Sequence, residues 1–219
     1  IVTTMHAVGN WTIDDIVAFT NDKVIVHNQY CFRRFGHPHE TVIIPHGASP
    51  TKCPSKEESR KAWGIVPVTV PIVGYVGFIS LYKGLEVLFR AMVKVPKTAI
   101  LIGGGWHVDR ETEYIARLKQ ESEKLLSERC RWLGFVPDER LATLYGSLDV
   151  VVYPSRLATE SGALIMALSH GKAVIASNLP PFKEKEQQGA LLTFKSVPNL
   201  RNKIKALLND DELRHKFEE

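Results

Sequence analysis

Apolar residues from position 68 onward follow two alternating periods. Short runs of Val, Ile and Leu, such as 70–76 and 150–153, are typical of strands buried on both faces of a parallel sheet. Segments between them carry apolar residues at helical spacing. The pattern predicts strands at 70–76, 98–102, 131–133, 150–153, 173–176 and 190–193, and helices at 84–93, 111–128, 138–146 with Asp138 as N-cap, 162 towards 171, and from 199 onward.

This alternation predicts an α/β fold: a Rossmann-like parallel sheet with helices on both faces, from about residue 66 to the end. Three further short apolar runs, 1–4, 23–27 and 42–44, come first, separated by pieces too short for a full domain. A polar stretch with one helix-like portion at 55–63 follows them. We interpret this stretch as a connector.

Composition narrows the class of protein. The chain has 219 residues, of which 44% are apolar, and a net charge of +4, which predicts a soluble globular protein and is too mild to argue for nucleic acid. Three cysteines without zinc spacing fit a reducing compartment, so a cytoplasmic location is expected. Because Ile1 is not a natural start, we expect a fragment. The basic tail predicts a solvated helix face in preference to membrane contact.

In sheets of this kind ligands bind at the carboxyl ends of the strands. The predicted loops there are 77–84, 103–107, 134–137 and 154–162. In the last loop, Ser161 and Gly162 open a helix directly after a strand. Such a helix start presents free N–H groups and a positive dipole end, which suits a phosphate. The pattern indicates a nucleotide or sugar-phosphate ligand.

Two side chains of these loops carry positive charge. Lys83 follows the glycine of position 77 and precedes a helix, where an ammonium would neutralise a phosphate; a glycine-rich turn with a solvated lysine is an equally good interpretation. Arg156 would bind a phosphate, and the nearby Glu160 suits sugar hydroxyls. The alternative is an ion pair between Arg156 and Glu160.

Two other features complete the candidate site, and a pair of histidines does not belong to it. Gly134, Phe135 and Val136 end a strand with backbone groups suited to a nucleobase edge, although a plain turn explains them equally well. His6 follows the first strand and would face the cleft. His37 and His39 lack a nearby third ligand, so solvated side chains are favoured over a metal site.

These motifs, taken in order, resemble the retaining GT-B glycosyltransferases of the glycogen-synthase-like, mannosyltransferase-rich family (glycosyltransferase group 1). The resemblance rests on 2–6, 43–47, 77–86, 133–137 and 153–177. It implies that 1–47 is the end of an acceptor-side N-terminal domain, 48–66 a connector, and 67–219 the donor-binding domain.

The resemblance also assigns roles. Lys83 and the amides of Ser161 and Gly162 would bind the donor diphosphate, His6 would contact the donor sugar, and Phe135 with Val136 would contact the nucleobase. Gly77, Phe78, Gly134 and Glu160 would complete the donor site, and His6, Lys83 and Arg156 the catalytic set.

The activity implied is transfer of mannose or another hexose from a donor such as a GDP- or UDP-hexose to a saccharide or lipid-linked acceptor. We expect retention of the anomeric configuration, independence of a metal ion and no further cofactor. The resemblance also implies a role in polysaccharide or glycolipid biosynthesis. No nucleic-acid partner is expected, and peripheral membrane association of the full-length protein remains open. The isolated fragment is expected to bind nucleotide but to transfer little sugar.

The chain departs from the family pattern at two places. Phe78 stands where the family has arginine, and we hypothesise that Arg156 restores this charge. The family also has two glutamates eight apart. Here Glu160 is followed by Leu168, and counting back from Gly171 gives Met166 and Ala158 instead. The ribose-binding glutamate is thus missing.

The rival functions share this site. A UDP-sugar 2-epimerase or a sugar phosphorylase would use the same phosphate site, although no motif indicates the pyridoxal phosphate of a phosphorylase. The missing glutamates also leave open a non-catalytic sugar-nucleotide-binding module.

Overall fold

The chain forms two parallel β-sheets. The structure, a computed structural model, describes residues 1–37 and 39–218, except for the side chains of Trp11 and Arg110. The first sheet has three strands in the order β1-β2-β3 and the second has six in the order β6-β5-β4-β7-β8-β9, all parallel. The strands are β1 Val2–Thr4, β2 Lys23–Val26, β3 Thr41–Ile43, β4 Ile72–Val76, β5 Ala99–Gly103, β6 Cys130–Gly134, β7 Val150–Tyr153, β8 Ala173–Ser177 and β9 Leu192–Phe194.

Helices connect these strands. They are α1 Trp11–Thr20, α2 Gln29–Phe35, α3 Lys56–Ala62, α4 Leu85–Met92, α5 Val108–Leu126, α6 Asp138–Ser147, α7 Gly162–Ser169, α8 Pro180–Gln187, α9 Val197–Asn209 and α10 Asp211–His215. Short 3-10 turns cover Leu81–Lys83 and Ser127–Arg129.

The strand order of the larger sheet places a crevice at its centre. Numbered within this sheet, the order is 3-2-1-4-5-6, which is that of the dinucleotide-binding Rossmann fold. The order reverses between β4 and β7, and in folds of this kind ligands bind at the carboxyl edge beside such a reversal. The predicted Rossmann-like α/β fold is confirmed, and loops 77–84 and 154–162 lie at this edge.

The buried core explains why the apolar runs predicted the strands. Every residue of β4 and β7 is buried, because helices cover both faces of the sheet. On α4 the predicted apolar stripe of Leu85, Leu88, Phe89 and Met92 is fully buried against it.

Several boundaries differ from the prediction. Helix α5 begins at Val108, three residues before the predicted start. Asp138 is the first helical residue of α6 and not its N-cap, since Pro137 holds that position with extended φ and ψ of −62° and 152°. Residues 1–47 contain two helices, α1 and α2, that the apolar pattern did not predict. Helix α8 was also missed, since half of its residues are charged, and the helix predicted from 199 onward is divided at Asp210 into α9 and α10.

The helix α3, predicted at 55–63, is packed against α6. Ser55 begins it with a capping box in which Glu58 takes part. The Arg60 side chain, 2% exposed, forms an ion pair of 2.7 Å with Asp149, just before β7. This buried pair attaches the segment to the amino-terminal edge of the larger sheet.

Candidate functional site

Three glycine-containing loops pack side by side at the carboxyl ends of β4, β5 and β6. The Gly77 N–H donates to Gly103 O at 2.9 Å, and the Gly104 N–H donates to Gly134 O at 2.8 Å. A Cβ added at Gly104 would lie 1.8 Å from Gly77 O. Only glycine permits this approach, so the loops form a continuous floor along the crevice.

Helix α7 points its N-terminus at this floor. Ser161 is its N-cap, and its hydroxyl accepts from the Leu164 N–H at 3.3 Å. No acceptor within the described residues receives the N–H groups of Gly162 and Ala163. A Cβ at Gly77 would lie 2.9 Å from the Ala163 Cβ, which places the β4 loop against the helix start. The arrangement presents two free amides and a positive dipole end to a ligand.

On one side of the α7 start lies an apolar cavity of about 580 Å³. Five of the predicted donor-binding residues line it, together with aromatic and other apolar side chains; the predicted five are Gly77, Phe78, Phe135, Val136 and Gly162. The Phe135 side chain is 75% exposed and that of Phe78 is 40% exposed, which is unusual for rings of this size. Exposed aromatic faces around an apolar cavity suit a planar heterocycle.

On the other side lies a polar cavity of about 500 Å³, between the carboxyl edges of the two sheets. It brings together four predicted residues, His6, Lys83, Glu160 and Ser161. Lys83 ends a 3-10 turn that Gly84 closes with a φ of 64°. A Cβ at Gly84 would lie 2.6 Å from Pro154 O, so this turn packs directly against the β7 loop.

The Lys83 ammonium is available for a ligand. Its Nζ lies 4.7 Å from the centre of the Tyr82 ring, and among the described carboxylates it has no ion-pair partner. Lys83 therefore provides an uncompensated positive charge in the cavity that Ser161 also lines.

Glu160 is fully engaged by the protein. Its side chain is 2% exposed and pairs with Lys185 at 3.1 Å. The Asn28 amide donates to the same carboxylate at 3.2 Å, and the Ser161 N–H donates to it at 2.9 Å. The alternative of an ion pair between Glu160 and Arg156 is wrong, because Lys185 from helix α8 occupies that position.

Arg156 lines neither of the two cavities. Its guanidinium pairs with Glu86 of α4, and Glu86 also accepts from the Tyr114 hydroxyl at 3.1 Å. Hydrogen bonding to Glu86 raises the pKa of Arg156. Arg156 instead lines a separate depression with Ser177 and Lys195, at the ends of β8 and β9. The Arg156 N–H donates to Tyr82 O at 2.7 Å, so its backbone lies beside the Lys83 turn, but its guanidinium is held by Glu86 and does not join Lys83 in the polar cavity.

Gly134 also lies outside both cavity linings. Its φ of 70° ends strand β6 in the left-handed region, which favours glycine. Its contribution is the carbonyl that fixes the Gly104 loop.

The structure distinguishes the two possible positions for the paired glutamates. Met166 lines the apolar cavity, whereas Leu168 packs against the core. Ala158 lines the polar cavity. Glu160 lines the same cavity, so the contrast between Met166 and Leu168 is what favours counting back from Gly171, and both positions counted in that way carry apolar side chains.

Sequence reasoning missed two further histidines at the site. His27 and His46 join His6, and their ring centres lie 4.8 Å, 5.0 Å and 5.8 Å apart. His46 Nε2 lies 3.8 Å from the position of a Cβ on Gly162, next to the α7 start. A histidine follows each of β1, β2 and β3 in the sequence, and this recurrence was a usable signal.

Hydrogen bonds between the residues of the first sheet and those of the larger sheet border the polar cavity. Asn28 donates to Thr159 O at 2.7 Å, and the Thr159 hydroxyl donates to His6 O at 2.9 Å. The Glu184 carboxylate accepts from the N–H groups of Gln29 and Tyr30, at 3.0 and 2.7 Å. These bonds fix His6 opposite Lys83.

Comparison with known proteins identifies the family. The sequence pattern of "Glycosyl transferases group 1" matches residues 55–219. The chain belongs to this family. One similar curated protein is the D-inositol 3-phosphate glycosyltransferase of Corynebacterium jeikeium. It is 28% identical to this chain over 187 residues, which cover 78% of this chain and 44% of the relative. The chain thus spans less than half the length of that protein.

Solved structures agree with this family and its GT-B fold. Sucrose-phosphate synthase from Thermosynechococcus elongatus matches with a TM-score of 0.86 and 25% identity, over 100% of this chain and 61% of the other. Anabaena HepE in complex with UDP and glucose matches with a TM-score of 0.86 and 21% identity, over 99% of this chain and 64% of the other.

Two features are absent from the described residues. No group of three or more His, Cys, Asp or Glu side chains in this part of the chain is placed to hold a metal ion. Of the helices described, none has both the length and the apolar character needed to cross a bilayer.

Proposed function

We propose that this chain is the donor-binding part of a glycosyltransferase, which moves a hexose from a nucleotide-sugar to an acceptor with retention of configuration. The observation that carries the proposal is the start of α7. Its two free amides, at Gly162 and Ala163, lie between an apolar cavity with exposed aromatic rings and a polar cavity containing Lys83.

Each part of a nucleotide-sugar has a matching place. The nucleobase would occupy the apolar cavity against Phe135 and Phe78, and the diphosphate would lie across the α7 start within reach of Lys83. The sugar would then project into the polar cavity towards His6. The acceptor would approach from the side of the first sheet.

The chemistry follows from this placement. In glycosyl transfer, negative charge develops on the departing diphosphate while the sugar gains oxocarbenium character. Lys83 and the α7 dipole would stabilise the leaving group, and fixed donors aimed at developing charge lower the barrier most directly. Independence of a divalent metal belongs to the same proposal, because these groups supply positive charge to the diphosphate.

The bound UDP and glucose of Anabaena HepE favour a UDP-hexose as the donor to test first, with GDP-mannose and ADP-glucose as competitors. The names of the relatives favour a polyol or sugar acceptor, including phosphorylated ones. We also propose that residues 1–47 belong to the acceptor-side domain, that residues 48–66 connect the two domains, and that residues 67–219 bind the donor. The isolated chain should therefore bind nucleotide but transfer little sugar.

The test is calorimetric titration with UDP-glucose, GDP-mannose and ADP-glucose. Lys83→Ala should weaken the preferred ligand about tenfold to a hundredfold, since a hydrogen bond to a charged group contributes about 1.5–3 kcal/mol. Arg156→Ala is the matched control. Because its guanidinium pairs with Glu86 outside both cavities, it should change affinity less than about threefold.

One outcome would reject the proposal and another would change the residue that supplies the positive charge. Absence of binding to all three donors would reject the donor site. A larger loss from Arg156→Ala than from Lys83→Ala would instead support the hypothesis that Arg156 replaces the arginine missing at position 78.

A second candidate is a non-catalytic sugar-nucleotide-binding module. The apolar side chains of Met166 and Ala158, at the cavity positions where the family pattern has glutamates, favour it. Transfer of labelled sugar by the full-length protein would exclude this module. Conversion of the UDP-sugar into its 2-epimer, with no acceptor product, would instead identify a 2-epimerase.

A further inference from the structure

His6, which lines the polar cavity, and His27 form a hydrogen-bonded pair with a defined direction. His27, 9% exposed, lies behind the exposed ring of His6. His27 Nδ1 is 3.0 Å from Ile44 O, and His27 Nε2 is 3.1 Å from His6 Nδ1. Both nitrogens of the buried ring are therefore in use.

The carbonyl determines where the protons are. Ile44 O accepts hydrogen bonds and never donates, so the Nδ1 of His27 must carry a proton. A neutral His27 then has a bare Nε2, which accepts from His6 Nδ1–H. A neutral His6 in turn has a bare Nε2, which is the ring nitrogen left for the cavity. The tautomers follow from the bonding partners.

We propose that His27 is a positioning residue that holds His6 as the Nδ1–H tautomer, so that His6 presents a hydrogen-bond acceptor to a hydroxyl of the bound sugar. The sugar's role rests on the proposed function. The tautomer itself rests only on the geometry of Ile44, His27 and His6. Since Nδ1 of His6 and Nε2 of His27 are bonded to each other, neither is open to a metal.

The backbone of His6 is fixed as well. Its carbonyl accepts from the Thr159 hydroxyl at 2.9 Å, on the loop that leads into α7. The ring is thus held from the first sheet and the main chain from the second. A hydrogen-bond acceptor at this place selects for a donor sugar with a hydroxyl facing the first sheet.

The experiment is a long-range ¹H–¹⁵N spectrum of the histidine side chains in the whole chain, at a pH of about 8.5, above the usual pKa of histidine of about 6.5. His6 and His27 should both show the Nδ1–H pattern, whereas neutral solvated histidines prefer Nε2–H. An Nε2–H pattern for His6 in the wild-type protein overturns the proposal without any variant or ligand.

Variants separate positioning from folding. His27→Phe removes the acceptor, so His6 should change to the Nε2–H pattern, while His27→Gln retains an oxygen that accepts from His6 and should restore Nδ1–H. His215→Gln, in α10 and remote from the cavity, is the matched control and should leave His6 unchanged. If His27→Phe does not fold, the wild-type and His27→Gln spectra still decide.

Binding then connects the tautomer to the sugar. In His27→Phe, affinity for UDP alone should remain within about twofold, while affinity for UDP-glucose should fall about fivefold to tenfold, the effect of one lost hydrogen bond. Equal losses for UDP and UDP-glucose would reject the role in sugar binding. If wild-type protein binds neither ligand, the proposed function fails while the tautomer result stands by itself.

Discussion

Asp149 is the residue whose replacement should most destabilise the larger sheet. It lies at the start of β7, 5% exposed. One carboxylate oxygen accepts from Arg60 and from the Ile72 N–H, both at 2.7 Å, and the other accepts from Lys56 at 2.5 Å. We therefore expect Asp149→Ala to leave the Ile72 N–H without its acceptor and the buried Arg60 charge without its carboxylate, bonded only to the carbonyls of Ser147 and Val68.

The magnitude follows from these contacts. Removing one partner of a buried ion pair costs about 3–5 kcal/mol, because the remaining charge stays buried. Lys56 is 46% exposed, so its own pair with Asp149 adds less than about 1 kcal/mol. We expect Asp149→Ala to lower the free energy of unfolding by about 4 kcal/mol, a large part of the about 5–15 kcal/mol typical of proteins.

The assay is urea denaturation followed by circular dichroism, with Lys56→Ala as the matched control. Adding Arg60→Met to Asp149→Ala should recover part of the loss, since the unpaired charge is then absent. A loss below about 1.5 kcal/mol for Asp149→Ala, or one equal to that of Lys56→Ala, would refute the reasoning.

The same site predicts a pH dependence. Burial by itself raises the pKa of Asp149, but hydrogen bonds from Lys56 and Ile72 and the charges of Lys56 and Arg60 outweigh it, so the pKa is lowered. Stability from a lowered carboxyl pKa is complete above the unfolded value of about 3.9 and is lost as the pH falls through the folded value. Wild-type stability should therefore fall more steeply than that of Asp149→Ala below a pH of about 4.

Two further predictions concern the glycine floor of the site and the buried thiol of Cys31. Gly104→Ala should lower the free energy of unfolding by about 1–3 kcal/mol and weaken nucleotide binding, because its Cβ would lie 1.8 Å from Gly77 O. Gly47→Ala is the control and should have little effect, since no atom lies within 4 Å of its Cβ. Equal effects of the two variants in denaturation and calorimetry would contradict this prediction. Burial is the main cause, and the charge of Glu160 the second, that raises the pKa of the Cys31 thiol to about 11. At pH 8, Cys31 should therefore react with a thiol reagent at least about tenfold more slowly in the folded protein than in the urea-unfolded chain. Similar rates would show that the site opens readily.

The candidate site was predictable as a set of loops. Residue order along the chain places Lys83 after one buried strand and Ser161 after another, and parallel strands bring such loops to a common edge. The sequence could not show which charged side chains pair. Arg156 and Glu160 are four residues apart, yet they bond to Glu86 and Lys185, because those partners lie on helices that pack nearby only in the fold.

The sequence by itself determined the parallel α/β architecture, the position of the helix start at which we propose phosphate binding, and the family pattern around it. These properties depend on local periodicity and on glycine at turns, which neighbouring residues encode. Only the tertiary structure decided that Lys83 has no carboxylate partner among the described residues, that Met166 faces the apolar cavity, and that His27 supports His6. These contacts join residues from separate strands and helices, and their distances arise only when both sheets are packed.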